Sequence, residues 1–416
     1  MRKLLFLLTL CYVTLIQAET RVFTFEGLRY AVVSEDSSTC EVTFNGKEYF
    51  NNPYVQDSIC IPESVVDDGK VYKVVRIGDY AFNDALMTRV VIPGSVREIG
   101  MGAFCSCLGL EKVSLPDGML RIGDNAFYGC KNVRSVLIPS SVKEIGVSAF
   151  QGCMALESIE VPSGVKELQD GLFADCAKLK SAALPEGLTS IRSGAFSGCV
   201  QLGSIRIPNS VTVIEDDAFY YCESLRNITI PSGVTVISNE LLYGCRSLME
   251  VSLHENIDSI GEKAFGYCNS LTQVKLPAML RHLGSYAFAY CNNLVTVSLP
   301  DGIRVIDDGA FGNCTSLLTA NHPDGLVRIG NLAYSGCSSL KSTRIPASVE
   351  TMGTAAFDKC PALVNVVSMT ENPKAITRHT FSNYAKATLH VPFNCKKKYL
   401  LGKYWKDFAR IVEDAR

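Results

Sequence analysis

The chain has 416 residues, 47% of them hydrophobic and 20% charged, so it can bury a core and is not of the disordered class. Its formal net charge of −2 gives no global electrostatic attraction for nucleic acid. Cysteine occurs 17 times, which is too sparse for a small disulfide scaffold and, being odd, prevents complete pairing. The length allows about two to three ordinary domains or one elongated repeat structure.

Residues 1–18 predict a secretory signal peptide. A short basic start precedes a mainly apolar stretch over residues 4–16, and Ala18 offers a small residue at the cleavage point. The stretch is too short for a membrane helix, which needs about 20 residues. Cys11 leaves a lipid-anchored form as the alternative, although the bulky Leu10 stands where such anchors normally have a small residue. We therefore expect an exported protein, either secreted or associated with the cell surface or outer membrane.

Residues 19–62 predict a β-rich N-terminal cap. Apolar and polar residues alternate over residues 21–25 and 28–33, on either side of Glu26-Gly27, and this pattern predicts a β-hairpin. Residues 40–50 have further strand character. Such a segment fits a cap because the outermost rung of a repeat array must be covered.

From residue 63 to 384 the sequence repeats every 23 residues. Cysteine, proline and an aromatic slot, usually Phe after Ala, all keep this spacing. His254 replaces the proline once, and Leu242 and Tyr334 replace the phenylalanine. The register cysteines are Cys107, Cys130, Cys153, Cys176, Cys199, Cys222, Cys245, Cys268, Cys291, Cys314, Cys337 and Cys360.

Each repeat predicts one short strand and a compact return. In the unit that begins at Leu110, period-2 alternation up to Leu115 predicts a strand with one buried face. Pro116 ends it, because proline lacks the N–H that a ladder needs. A second apolar set then leads to Phe127. The pattern indicates a solenoid of about 14 right-handed stacked coils with a parallel β-sheet on one face.

These residues resemble the BspA-like leucine-rich repeat family of bacterial surface and secreted proteins. The match is the consensus Leu-x-x-Ile-x-Leu-Pro-x-x-Val-x-x-Ile-Gly-x-x-Ala-Phe-x-x-Cys over residues 63–384. The resemblance implies a leucine-rich repeat fold and an exported bacterial protein. It also implies, much more weakly, adhesion, because several members bind host matrix proteins or other bacteria.

Residues 385–416 predict a C-terminal cap made of a strand and a helix. Residues 387–392 have the alternation of a last strand, and residues 396–413 have apolar residues on one side of a helix. That side includes Trp405, the only tryptophan. A capping role for this ring is favoured over a binding role.

The repeat cysteines predict a structural ladder of buried thiols. Equivalent positions on adjacent coils lie about 4.8 Å apart, but parallel side chains fit poorly with a disulfide dihedral of about ±90°. Buried free cysteine behaves as a small hydrophobic residue. Paired disulfides and a metal site are the less favoured alternatives. Outside the register, Cys40 and Cys60 share one terminal region and form the single disulfide that the sequence suggests.

The sequence contains no catalytic motif. The five histidines are scattered, and no nucleophile elbow, phosphate loop or His-Glu-x-x-His is present. Equivalent, buried cysteines do not fit a catalytic nucleophile, which is normally singular and activated. The acidic pairs Asp216-Asp217 and Asp307-Asp308 are candidate calcium ligands, but solvated surface turns are the favoured interpretation. The chain is therefore predicted to be no enzyme and to use no cofactor and no metal.

Binding is then expected on side chains that face solvent. One candidate surface is the outward side of the strands, which is rich in Ser and Thr and mixed in charge; its candidates are Lys112, Glu160, Arg206, Lys275 and Arg344. The other is a group of tyrosines just before the cysteine slots, with Tyr221, Tyr267 and Tyr290 as candidates. For these tyrosines, packing between coils is the competing interpretation.

The favoured function is a protein-binding scaffold for a host matrix protein or a bacterial surface protein. A structural or assembly component of the cell envelope is the alternative, and an enzyme is the least favoured class. No membrane span and no nucleic-acid partner are expected, and the sequence gives no oligomeric state.

Overall fold

The computed structural model describes residues 20–44, 54 and 57–414. The predicted signal peptide and Cys11 lie outside these residues. The described chain is a stack of coils with almost no helix, which confirms the predicted leucine-rich repeat solenoid. No helix in the described part of the chain is long and apolar enough to cross a membrane.

The predicted strand is present in all coils except the one that contains residues 204–206, and most equivalent strands of neighbouring coils pair in parallel. Pairing is also interrupted after Glu250–Ser252 and after Thr296–Ser298. In the strand Lys112–Ser114, Val113 points inward and is buried, whereas its two neighbours are exposed. Lys112 pairs with Ser135, one repeat later. We call this series the first ladder; its strands are Ser58–Cys60, Arg89–Val91, Lys112–Ser114, Ser135–Leu137, Ser158–Glu160, Ser181–Ala183, Asn227–Thr229, Glu250–Ser252, Gln273–Lys275, Thr296–Ser298, Thr319–Asn321, Ser342–Ile345, Asn365–Ser368, Thr388–Val391 and Arg410–Glu413.

A second ladder of two-residue strands runs along another side of the stack, and the sequence did not predict it. Arg121 and Ile122 pair in parallel with Glu98 and Ile99. A Cβ on Gly123, the next residue, would lie 2.7 Å from a backbone carbon of Gly100, so glycine allows the coils to approach closely here. The strands are Glu98–Ile99, Arg121–Ile122, Glu144–Ile145, Glu167–Leu168, Ser190–Ile191, Val213–Ile214, Val236–Ile237, Ser259–Ile260, His282–Leu283, Val305–Ile306, Arg328–Ile329 and Thr351–Met352.

The aromatic slots form a buried column inside the stack. Stacked rings from Phe82 to Phe219 have centroids 5.2–5.9 Å apart, and a second run from Phe265 to Phe381 has centroids 4.9–5.7 Å apart. Leu242 lies between the two runs and is fully buried. Burying one such side chain contributes about 1.5–3 kcal/mol. Each coil therefore covers the apolar side chains of its neighbours, and a single coil could not bury its own apolar face.

The N-terminal end of the stack is covered by hairpins. Val22–Phe25 pairs antiparallel with Leu28–Ser34, followed by Thr39–Val42. A second hairpin, Ser64–Asp67 with Lys70–Ile77, connects this region to the second ladder. That hairpin follows residue 62, so the boundary placed there stays a prediction.

At the C-terminal end, the helix expected over residues 396–413 is present only over Lys396–Leu401. A short 3-10 helix, Trp405–Asp407, follows. The chain then enters the last first-ladder strand, Arg410–Glu413, which pairs in parallel with Thr388–Val391. Tyr404 has a left-handed φ of 66°, which the helix could not continue through, and pairing with the sheet takes the remaining residues.

Candidate protein-binding surfaces

The twelve register cysteines lie inside the stack as free thiols and are fully buried. Each Sγ donates a hydrogen bond of 3.0–3.3 Å to the backbone carbonyl at the aromatic slot of the preceding coil. Burial raises the pKa of Cys153, Cys291 and Cys360 to about 12, so these thiols are neutral and unreactive at pH 7. A thiol at this slot fills space and also pairs a buried carbonyl.

The disulfide suggested between Cys40 and Cys60 is not formed. Cys40 is buried in the strand Thr39–Val42, which belongs to the N-terminal cap and leads to the second ladder. Cys60 is exposed and lies on the first ladder, where it pairs with Val91. The two residues share a stretch of sequence, but they belong to different sheets.

Histidines and acidic pairs in the repeat slots are engaged in structural hydrogen bonds. His254 Nε2 lies 2.9 Å from the carbonyl oxygen of Val234. Asp216 Oδ1 accepts a hydrogen bond from the backbone N–H of Asn239, one coil later. Asp308 makes the same contact with the next coil. Among the described residues, no group of three His, Cys, Asp or Glu side chains could hold a metal ion.

The outward side of the first ladder presents the five charged candidates to solvent. Lys112 and Glu160 occupy exposed strand positions, and the structure gives neither an ion pair within the described chain. Arg206 and Lys275 have side chains 70% and 91% exposed. Arg344 is more covered, with 36% of its side chain exposed. Residues 204–206, between two ladder strands, do not form a regular strand of their own.

Three of these cations are paired with acids that the sequence did not single out. Arg344 lies 2.6 Å from Asp324, and Lys275 lies 3.8 Å from Glu255. Arg206 pairs in the same way with Glu186, and this contact raises the pKa of the Arg206 guanidinium. Each acid follows the proline slot of the preceding coil, so the same pair recurs every 69 residues, or three coils. That spacing was the signal in the sequence by which the acids could have been found.

A shallow groove of about 980 Å³ lies on the first ladder around Lys275. Its cation is the most exposed of the three and is held only loosely by Glu255. Met249, 55% exposed, contributes an apolar side at one edge. The residues whose side chains define the groove are Met249, Glu250, Gln273, Lys275, Thr296 and Ser298. This arrangement can contact a polypeptide through charge, amide and hydroxyl groups, but it holds no activated nucleophile.

The tyrosine candidates lie on the turn that precedes each cysteine, away from both ladders. Tyr221, Tyr267 and Tyr290 have left-handed backbones, with φ of 52°, 60° and 62°. Their rings pack together with those of Tyr220 and Tyr243. We call these five residues the tyrosine ridge.

Comparison with known proteins agrees with this geometry. The family model described as BspA type Leucine rich repeat region (6 copies) matches residues 75–203, 189–318 and 281–399. A leucine-rich repeat protein from Bacteroides ovatus is 28% identical with a TM-score of 0.70, covering 94% of this chain and 100% of that chain. A leucine rich cell surface protein from Faecalibacterium prausnitzii is 26% identical with a TM-score of 0.58, covering 84% and 94%. No curated protein matches.

The pneumococcal vaccine antigen PcpA shares the fold at 15% identity, with a TM-score of 0.52 and coverage of 95% of this chain and 99% of that chain. Solenoids of this type are typically non-enzymatic scaffolds for protein interaction. The matched segments together cover most of the sequence, and the chain belongs to the BspA-type leucine-rich repeat family.

Proposed function

We propose that this chain is an exported protein that binds a partner protein along the outward side of its first ladder, at the cell surface or after secretion. The partner is a matrix protein of a host or a surface protein of another bacterium, and the contact serves adhesion. The groove around Lys275 is the observation that carries the proposal.

Three features of that groove support a protein partner. It combines a highly exposed cation with carboxylate, amide and hydroxyl groups and one exposed methionine, a mixture suited to a polypeptide surface. It has no aromatic side chain for a sugar ring to stack on. The ion pairs at Arg206 and Arg344 extend the charged surface on both sides at equal distances along the stack.

Export is supported by the predicted signal peptide over residues 1–18 and by the relative from Faecalibacterium prausnitzii, which is a cell surface protein. Cell fractionation tests this part of the proposal. The protein should be found in the medium or the surface fraction, and retention in the cytoplasm would contradict it.

The binding test uses the exported chain, residues 19–416, on immobilised matrix proteins and on bacterial surface extracts. Lys275→Glu reverses the charge in the groove, and its loose contact with Glu255 means that folding should be little affected. We expect binding at least tenfold weaker than for the unchanged chain.

Lys131→Glu is the matched control, because it makes the same charge reversal at an exposed residue off the first ladder. Its binding should equal that of the unchanged chain. If both variants bind normally, the first ladder is not the site. If the unchanged chain binds no soluble protein but co-purifies with envelope components, an envelope assembly role replaces the proposal.

A further inference from the structure

Three of the five residues of the tyrosine ridge, Tyr221, Tyr267 and Tyr290, occupy backbone positions that disfavour tyrosine. The residue just before each register cysteine has a positive φ. Of the nine coils without tyrosine there, five use glycine and four use Ser, Asp, Asn or Lys; the residues are Gly129, Gly152, Gly198, Gly244, Gly336, Ser106, Asp175, Asn313 and Lys359. A bulky residue in this left-handed conformation is strained, whereas glycine is not. Tyrosine nevertheless stands at three of these positions, and all three lie within four consecutive coils. Local backbone energetics therefore do not explain the choice, so the side chains do.

The rings of the ridge pack against one another, two pairs by stacking and the rest edge to face. Tyr220 stacks on Tyr243 with centroids 5.2 Å apart, and Tyr267 stacks on Tyr290 at 4.4 Å. Tyr221 meets its two neighbours edge to face. The next coil makes room for the rings with small residues: a Cβ at Gly244 would lie 2.8 Å from the ring of Tyr221. The result is one continuous aromatic surface across four coils.

All five residues of the ridge are partly accessible to solvent. Tyr290 is 38% exposed and the other four rings are half-buried. The hydroxyls of Tyr267 and Tyr290 interact with each other. Within the described chain, those of Tyr220, Tyr221 and Tyr243 make no recorded hydrogen bond, and none of them is among the buried polar atoms without a partner. Stacking covers one face each of Tyr220, Tyr243, Tyr267 and Tyr290, which leaves less open ring face for a sugar to stack on. A ligand with apolar rings of its own and free carbonyl groups fits the ridge better.

The charges around the ridge are mainly negative. Asp217 and Glu240 lie close enough to raise the pKa of Tyr220, after the larger effect of burial and that of Tyr221. Both nearby cations are already paired: Lys263 binds two glutamates, and Arg246 binds one. Glu223, Glu240 and Glu262 are the partners in these ion pairs, and Asp216 lies near Asp217. The surroundings therefore favour a basic ligand.

We propose that the tyrosine ridge is a second binding site, which takes a basic, proline-rich peptide segment in the polyproline II conformation. Such a segment has no internal hydrogen bonds, so its carbonyls can accept from the tyrosine hydroxyls, and its proline rings pack against aromatic edges. The ridge spans three intercoil spacings, about 14 Å. At about 3.1 Å per residue, a segment of about five residues covers it.

The test titrates the exported chain, residues 19–416, with the nonapeptide (Arg-Pro-Pro)₃ by isothermal titration calorimetry. We expect one site, with no binding of (Glu-Pro-Pro)₃. The flexible peptide (Arg-Gly-Ser)₃, which has the same charge, should bind at least fivefold more weakly. Equal binding of the two basic peptides would mean that the site recognises charge alone, and would overturn the proposal. Tighter binding of the sugar oligomer cellohexaose than of (Arg-Pro-Pro)₃ would also overturn it.

The decisive variant is Tyr221→Gly with Tyr267→Gly and Tyr290→Gly, which installs the residue that other coils use at the same slot. It should bind (Arg-Pro-Pro)₃ at least tenfold more weakly, with a melting temperature within about 2 °C of the unchanged chain, because strain relief offsets lost contacts. If the tyrosines served only to pack the coils together, this triple variant should instead show a clear loss of stability. Unchanged peptide binding by this variant would also refute the site. The Lys275→Glu variant should bind the peptide normally, which separates this site from the first ladder.

Discussion

The buried pair His322 and Tyr334 offers the sharpest test of the packing inside the stack. Other coils place Leu, Ile or Val where His322 lies and Phe, or once Leu, where Tyr334 lies. His322 is only 4% exposed, and its Nδ1 lies 2.6 Å from the carbonyl oxygen of Arg344. A carbonyl only accepts, so Nδ1 donates and Nε2 accepts from the Tyr334 hydroxyl, 3.0 Å away. The two departures from the repeat therefore compensate each other.

Replacing either residue alone should be costly, and replacing both should not. Tyr334→Phe leaves Nε2 buried without a donor, and His322→Leu leaves the Tyr334 hydroxyl and the Arg344 carbonyl without this partner. Each change should lower the free energy of unfolding by about 1–3 kcal/mol. The double variant restores the residues of other coils and should lie within about 1 kcal/mol of the unchanged chain.

A double-mutant cycle by urea unfolding measures this coupling. Two harmless single changes with additive effects would refute the hydrogen-bonded pair.

The pH dependence gives a second readout. Burial lowers the pKa of His322 to about 4, below the value of about 6.5 expected for an unfolded histidine.

Because the folded protein holds this imidazole neutral, its contribution to the free energy of unfolding is fully present above about pH 6.5. The contribution is lost as the pH falls towards about 4. The loss amounts to about 3 kcal/mol at most. His322→Leu should remove this part of the pH dependence. An identical pH profile in the variant would contradict the assignment.

Two further predictions concern the thiols and the C-terminal end. In denaturant without reductant, thiol titration of the chain without Cys11 should count 16 free cysteines. Under native conditions only the exposed Cys60 and the partly exposed Cys105 should react quickly. Two or fewer thiols in denaturant would disprove the buried ladder. Trp405→Ala should cost about 3–5 kcal/mol, because the ring is buried and its Nε1 donates to the carbonyl of Lys374. Circular dichroism on heating checks this, with Trp405→Phe as the milder control, and an unchanged melting curve would be evidence against a packing role for this ring.

The solenoid could be predicted because its repeat is strict. Cys107 and its eleven successors fix the coil length, and the alternation around Val113 fixes which side of the first ladder is buried. The second ladder could not be found in this way, because a strand of two residues, such as Arg121–Ile122, is too short to show the alternation of apolar and polar residues that predicts a strand. The last helix was overextended because the apolar residues after Trp405 fit both a helix and the final strand.

The candidate surfaces were only partly accessible from the sequence. The exposed positions of Lys275 and Arg344 follow from strand alternation, but their partners lie in the preceding coil and act through space. The cooperation of Tyr221 and Tyr267 in one aromatic surface depends on ring geometry. Their left-handed backbone could be inferred from the glycines at the same slot of other coils, but not from tyrosine itself, which is rare in that conformation.

Hydrogen–deuterium exchange of the exported chain, with and without the bound partner, tests the proposed function most directly. We expect protection in first-ladder peptides around residues 249–255 and 273–276, with little change in second-ladder peptides such as those containing residues 282–283. Protection confined to the second ladder, or none in the groove around Lys275 when the partner is bound, would contradict it.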